Sequence, residues 1–179
     1  MTRIAVIAHG LSGGGAERVA SIVSNYFAEK GYDVLFVAAY SKEREYALND
    51  KIQYVAIDTK APVAFLKLIE RSFKITSVVK KFKADIVYSF INSELIPLSL
   101  SRIPIIPSLR IDPKYIEYDR VRWHIRNFVY KRAKNVIFQT EDARDYFVEK
   151  IRKKGVVIGN PLKDGLPVWD EKNHRKVFM

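Results

Sequence analysis

The sequence predicts an α/β protein built on a doubly wound, mostly parallel sheet with helices on both faces. Two observations predict it. Short β-branched runs alternate with amphipathic segments along the whole chain, and 179 residues, 48% of them apolar, suffice for one core of that kind. Arg3 to His9 is an apolar run unbroken by polar residues, which suits a buried strand. Leu11 to Gly15 is a loop, and Ala16 to Lys30 is a helix because Ala16, Val19, Ala20, Val23 and Phe27 share one stripe. Gly31 ends it, where a positive φ is wanted. Asp33 to Ala39 and Ile52 to Ile57 are the next strands. Pro62 opens an amphipathic stretch to Phe82 whose core face is expected at Phe65, Leu68, Ile69, Ile75, Val79 and Phe82. Ile86 to Phe90 is a strand, and Asn92 to Ser101 a helix that Pro97 bends or starts. Pro104 to Leu109 is a short strand, Val121 to Ala133 a basic, aromatic helix, and Asn135 to Phe138 a strand. Glu141 to Lys153 reads as one helix with Ala143, Tyr146, Phe147 and Ile151 inward, and Gly155 to Ile158 is the last strand. The pattern stops after Pro161: 163–179 reads as a linker ending in a new apolar run, as if a second domain were beginning.

Cysteine is absent, which excludes disulfides, thiolate metal sites and cysteine nucleophiles. His9, His124 and His174 lack metal-ligand spacing, so no metal is expected. No run is long enough to span a bilayer, and the short apolar run Ile4 to Ala8 lacks the small-residue cleavage site of a signal peptide, so the expected address is the cytoplasm or a membrane's inner face. The net charge of +11 calls for an anionic partner. The charge gathers in two segments: seven basic against one acidic residue over Lys60–Lys83, and six against none over Arg120–Lys134. Both coincide with amphipathic helices and neither carries base-stacking motifs, which disfavours nucleic acid. They suit an anionic membrane surface, with Lys67, Arg71, Lys74, Trp123 and Arg126 as the facing residues; a solvated basic face is the alternative.

In a doubly wound sheet, ligands bind beyond the carboxyl ends of the strands. That edge gathers His9, Ser12 to Gly15, Tyr40, Ser89 to Asn92, Ser108 to Asp112, Gln139, Thr140, Glu141 and Asn160. Gly13, Gly14 and Gly15 stand between the first strand and the first helix, where a backbone can approach a ligand and a helix dipole favours an anion. The loop matches neither G-x-x-x-x-G-K-S/T nor G-x-G-x-x-G, and a plain connecting turn remains open. Glu17 is either a dipole partner or a sugar ligand, and His9 either a structural residue or a catalyst. Arg110 either grips an anion or pairs with Asp112 in a turn.

The run Leu11-Ser12-Gly13-Gly14-Gly15-Ala16-Glu17-Arg18-Val19, followed by Gly31-Tyr32-Asp33-Val34, resembles the opening of family 4 glycosyltransferases of the GT-B fold. Ala84 to Phe90, Ser108 to Pro113, Val136 to Glu141 and Val157 to Leu162 resemble four further segments of that family, in order; Leu109 and Gly159 stand where a glutamate and a proline are usual. The resemblance implies a Rossmann-like acceptor-side domain over 1–162, one half of a GT-B fold, with the donor-binding domain to follow. It implies a retaining transfer of a sugar from a UDP-sugar to a lipid-linked glycan in cell-surface polysaccharide or lipopolysaccharide biosynthesis. A stand-alone glycan or membrane-binding module is the alternative. No cofactor is implied beyond the nucleotide-sugar substrate, and the catalytic residues remain unassigned. Gly13 to Gly15, Glu17, Arg18, Asn92, Arg110, Asp112, Gln139, Thr140 and Glu141 would contact donor or acceptor, and Asn160 with Pro161 would form the hinge. Glu141 and Glu149 have the family's Glu-x7-Glu spacing, but eight residues of helix rotate by about 80°, so this match is taken as coincidental.

Overall fold

The strands are β1 (Arg3–Ala8), β2 (Asp33–Ala38), β3 (Gln53–Ala56), β4 (Ile86–Ser89), β5 (Ile105–Leu109), β6 (Val136–Phe138) and β7 (Gly155–Val157). The helices are α1 (Gly15–Glu29), α2 (Ala64–Phe82), α3 (Ile96–Ser99), α4 (Arg120–Arg132), α5 (Glu141–Asp145) and α6 (Glu149–Arg152). In a computed structural model, which describes residues 1–116 and 120–161, the strands form one sheet in the order β3-β2-β1-β4-β5-β6-β7. Every pairing is parallel. The expected linker over 163–179 lies outside the described residues.

The chain starts at the centre of the sheet, moves out to β3, and returns across it through α2 to β4. The strand order therefore reverses between β1 and β4, and the carboxyl ends of those two strands flank a ligand crevice. Successive side chains join opposite cores, as the pleat requires. Ala5, Ile7, Leu35 and Val37 join Ile75 and Val79 of α2 and Val129, Tyr130 and Ala133 of α4 in one core. Ile4, Val6, Val34 and Phe36 join Ala20 and Ala28 of α1 in the other. Helices thus cover both faces, as the pattern of apolar runs predicts.

Helix α1 ends as expected: Gly31 has φ 84°, and the N–H groups of Gly31 and Tyr32 return to the carbonyls of Ala28 and Phe27. Pro97 starts a helix rather than bending one. A 3-10 turn over Ser93–Leu95 leads into the four-residue α3, with Pro97 in its first turn, where the missing N–H is harmless.

Two expectations need correction. The stretch 141–153 is not one helix: α5 stops at Asp145 and α6 starts at Glu149, with Val148 extended at ψ 152° between them. The break seats Phe147 against Phe138 (5.2 Å) and Tyr130 (5.5 Å), while Ile151 is fully buried beyond it. Phe65 and Ile69 are not core residues; they are 69% and 38% exposed. A 19-residue helix is about 28 Å long and a four-residue strand about 13 Å. The first turns of α2 therefore stand beyond the sheet edge with nothing beneath Phe65, and burial begins at Ser72, Ile75 and Val79.

Candidate functional site

The glycine loop is laced to the segment that follows β2. Gly13, at φ 77°, donates its N–H to Glu45 Oε2 at 2.9 Å, a geometry that a side-chain-bearing residue would strain. The Tyr46 hydroxyl donates to the Gly14 carbonyl at 3.3 Å, and the buried Leu11 carbonyl accepts from the N–H groups of Glu45 and Tyr46. Gly14 precedes α1 without a side-chain cap, and a Cβ there would strike the Glu17 carboxylate. Glu17 therefore lies over the positive end of α1 as a dipole partner. Open space lies before Gly15, where an added Cβ meets nothing within 4 Å. Arg18 points elsewhere: its Nη2 donates to the Pro161 carbonyl at 2.9 Å and ties α1 to the end of the described chain.

Arg110 joins three strands at the same edge. Its Nε donates to Ser108 Oγ at 2.8 Å, its Nη1 to Asn160 Oδ1 at 2.9 Å and to the Ile158 carbonyl at 3.2 Å, and its Nη2 to the Tyr88 hydroxyl at 3.3 Å. Asp112 is not its partner; Asp112 Oδ1 accepts from the Lys114 N–H at 2.9 Å. All four acceptors of Arg110 are neutral, so its charge is still available to an anion. Asn160 and Pro161, the expected hinge, are thus held by Arg110 and Arg18 respectively.

A cavity of about 910 Å³ opens at the carboxyl ends of β1, β2 and β4, beside the first turns of α2 and α4. Its floor holds exposed His9, stacked on Tyr40 with ring centres 4.6 Å apart. The Tyr40 hydroxyl donates to Glu94, a carboxylate only 2% exposed. Burial, then the neighbouring Glu94 charge, raises the Tyr40 pKa above its ordinary value, so the phenol stays protonated and remains a donor. The Arg71 guanidinium lies 3.8 Å from the Tyr40 ring centre, with Nε fixed on the Ala39 carbonyl at 2.8 Å. Asn92 also lines the cavity, and its buried side-chain oxygen has no partner among the described residues. A second groove, of about 650 Å³, sits at the opposite end of the strands beside Arg3, Asp33 and Lys83. Parallel sheets of this kind do not bind ligands at that end.

The remaining expected residues divide. Thr140 caps α5, its hydroxyl accepting from the Ala143 N–H at 3.2 Å, and Glu141 pairs with Arg144. Gln139 is half-buried just after β6. Glu149 pairs with Lys153 at 2.8 Å on a different helix from Glu141, so the two carboxylates do not act as a unit. Among the outward-facing candidates, only Lys67 is simply exposed. Lys74 is held by Glu70 (2.6 Å) and the Asp58 carbonyl (2.7 Å), Arg71 by Ala39, and Trp123 is half-buried against His124. Arg126 points inward and is 1% exposed, because it occupies the buried stripe of α4 with Val129, Tyr130 and Ala133. Sequence reasoning passed over Glu94. The signal was present: it is the sole charge in the apolar run Ile91 to Ser101. Among the described residues, no three side chains of metal-ligating type converge, and no helix is long and apolar enough to cross a membrane.

Comparison with known proteins bears on the family and the fold. The description of Glycosyltransferase Family 4 matches residues 13–164. No curated protein matches. The fold is similar to that of MurG from Acinetobacter baumannii (19% identity, TM-score 0.63, covering 92% of this chain and 47% of that one). It is also similar to the lipopolysaccharide outer core galactosyltransferase WaaB (17%, TM-score 0.62, 90% and 46%). A third likeness is to sucrose-phosphate synthase from Thermosynechococcus elongatus (12%, TM-score 0.70, 89% and 48%). The chain spans just under half the length of each of these structures. With most of its length matched by the family description and its sheet superposing on one half of these enzymes, the chain belongs to glycosyltransferase family 4 and folds as one Rossmann-like half of a GT-B structure.

Proposed function

We propose that this chain is the acceptor-side half of a retaining glycosyltransferase, which moves a sugar from a UDP-sugar to a lipid-linked glycan of a cell-surface polysaccharide or lipopolysaccharide. The observation that carries the proposal is the cavity at the β1–β4 switch point, whose polar groups suit sugar hydroxyls: the Asn92 oxygen and the Glu94 carboxylate accept, while the Tyr40 hydroxyl is held by Glu94. The acceptor sits there and turns its reacting hydroxyl toward the glycine loop. The donor arrives from a second domain facing the same edge, across Asn160 and Pro161. The Gly15 side of the loop lets the acceptor and the donor phosphates approach the backbone closely. If the leaving phosphate takes the acceptor proton, no side chain of this half need act as nucleophile or base. This half orients the acceptor and excludes water, which is how positioning lowers a barrier.

The full-length protein, given a panel of UDP-sugars and a lipid-linked acceptor, is expected to release UDP and form a product with the donor's anomeric configuration by NMR. An inverted anomer would remove retention, and absence of transfer to any lipid-linked acceptor would remove the acceptor class. The 179-residue chain alone is expected to transfer nothing, because the donor contacts lie elsewhere.

A peripheral membrane seat is also favoured by one specific feature. Phe65, Leu66, Ile69 and Phe73 form an exposed apolar strip on α2, and Phe65 at its start also lines the cavity. A lipid tail leaving the cavity past Phe65 would meet the start of this strip.

A further inference from the structure

Helix α4 carries a charge on its core stripe. Arg126 is 1% exposed, and only one of its three nitrogens is satisfied: Nη1 donates to the Pro113 carbonyl at 3.3 Å, while Nε and Nη2 are buried with no partner among the described residues. The guanidinium carbon lies 4.8 Å from the Phe147 ring centre and 5.8 Å from that of Tyr146, so two aromatic faces lie against it. A buried guanidinium with orphaned donors is costly, and such a group persists where something else completes it. Arg126 lines the 910 Å³ cavity, together with Arg122 one turn earlier on α4 and Lys67 opposite. The first turn of α2 adjoins the same space with no side-chain cap and no acidic residue, so its dipole adds to the positive field there.

We infer that Arg126 binds an oxyanion carried by the acceptor, a phosphate or a sugar carboxylate, through its Nε and Nη2 donors. The cavity then reads as two-ended. Asn92 and Glu94 take hydroxyls, and the Arg126 end takes the negative charge, which fixes which hydroxyl faces the donor. Nε and Nη2 lie on one edge of the guanidinium plane, the pairing that meets two oxygens of one carboxylate or phosphate. This inference rests on the acceptor reading of the cavity and adds the chemical class of what the cavity holds.

The experiment observes the Arg126 Nε–Hε signal in the ¹⁵N-labelled full-length protein, titrated separately with inorganic phosphate, glucuronate and glucose. The expected result is a saturable shift with phosphate, with glucuronate, or with both, and none with glucose. A response to phosphate alone assigns the charge to a phosphorylated or lipid-phosphate acceptor, and a response to glucuronate alone to an acidic sugar. A signal that moves with none of the three overturns the proposal, and this readout needs no variant to fold. In the transfer assay, Arg126→Lys, checked for folding by circular dichroism, is expected to raise the acceptor KM about 10–100-fold, with the donor KM unchanged. Transfer with an unchanged acceptor KM in a folded Arg126→Lys protein overturns the inference and leaves the glycosyltransferase reading standing. A saturable anion shift in a protein that transfers no sugar does the reverse.

Discussion

Arg110 and Arg126 stand at the same end of the sheet and do different work. Arg110 binds neutral oxygens on β4, β5 and the segment after β7, so it acts first as a clamp. Arg110→Ala is expected to lower stability by about 1.5–3 kcal/mol, read from urea denaturation; a loss below half a kilocalorie would mean the clamp is ornamental. Glu70 gives a pH-dependent test. Its carboxylate takes a hydrogen bond from Lys74 and further ones from the N–H groups of Ala61 and Lys60, and these hold its pKa at about 2, below the ordinary 4.5. A pKa depressed in the folded state means that the stabilisation is complete above pH 4.5 and fades as the pH falls toward 2. The melting-temperature gap between wild type and Glu70→Gln should therefore be widest near neutrality and close over that interval. A gap independent of pH would show that Glu70 acts through packing. At this scale much was legible from spacing alone. Arg126, Val129, Tyr130 and Ala133 fall at i, i+3, i+4 and i+7, so the inward direction of Arg126 was written in the period, although its charge argues for the surface. What spacing does not carry is partnership. That Arg18 reaches Pro161, 143 residues away, follows only from the folded sheet.

Elements were most legible where burial is two-sided. The β1, β2 and β4 runs are apolar apart from a terminal residue (Arg3, Asp33, Ser89) because both faces of the sheet are covered there, and no hydrophilic alternation blurs them. Element ends were less legible, because an end depends on what lies beneath it. The first turns of α2 have the same period as the rest, and only the short length of β4 leaves Phe65 uncovered. The α5–α6 break is likewise set by where Phe147 finds its aromatic partners. Two element-scale tests follow. Lys83 closes α2 at φ 57° and ψ 47°, with its N–H and that of Ala84 returning to Lys80 and Val79. Lys83→Gly relieves that left-handed strain and is expected to stabilise the chain by about 0.5–1 kcal/mol by thermal unfolding; destabilisation would show that the Lys83 side chain does more than turn. Thr140→Ala removes the α5 cap and should cost about 1 kcal/mol, whereas an effect on acceptor KM with intact stability would return Thr140 to the binding surface.

At the scale of the whole molecule, the sheet edge, the cavity and the first turns of α2 lie on one end, so the proposed lipid-linked acceptor and the proposed membrane seat would need no reorientation between them. Phe65→Ser combined with Phe73→Ser is expected to weaken co-sedimentation with anionic vesicles by about tenfold or more; unchanged sedimentation would move the membrane seat elsewhere. The fold class was legible at this scale because alternation of runs and helices admits few topologies. The strand order has a further consequence, in time rather than space. The central strand β1 pairs on one side with β2 and on the other with β4, and the Arg3 N–H is held by Asp85, 82 residues later. On the ribosome, β1, α1 and β2 can assemble once β2 has emerged, but the other edge of β1 has no strand to meet until Ser89 is made. At roughly 5–20 residues per second, that edge stays open for about 3–10 s. Five of the six residues of β1 are buried in the finished sheet, so while that edge stays open the nascent chain exposes an apolar strand of the kind a chaperone would hold.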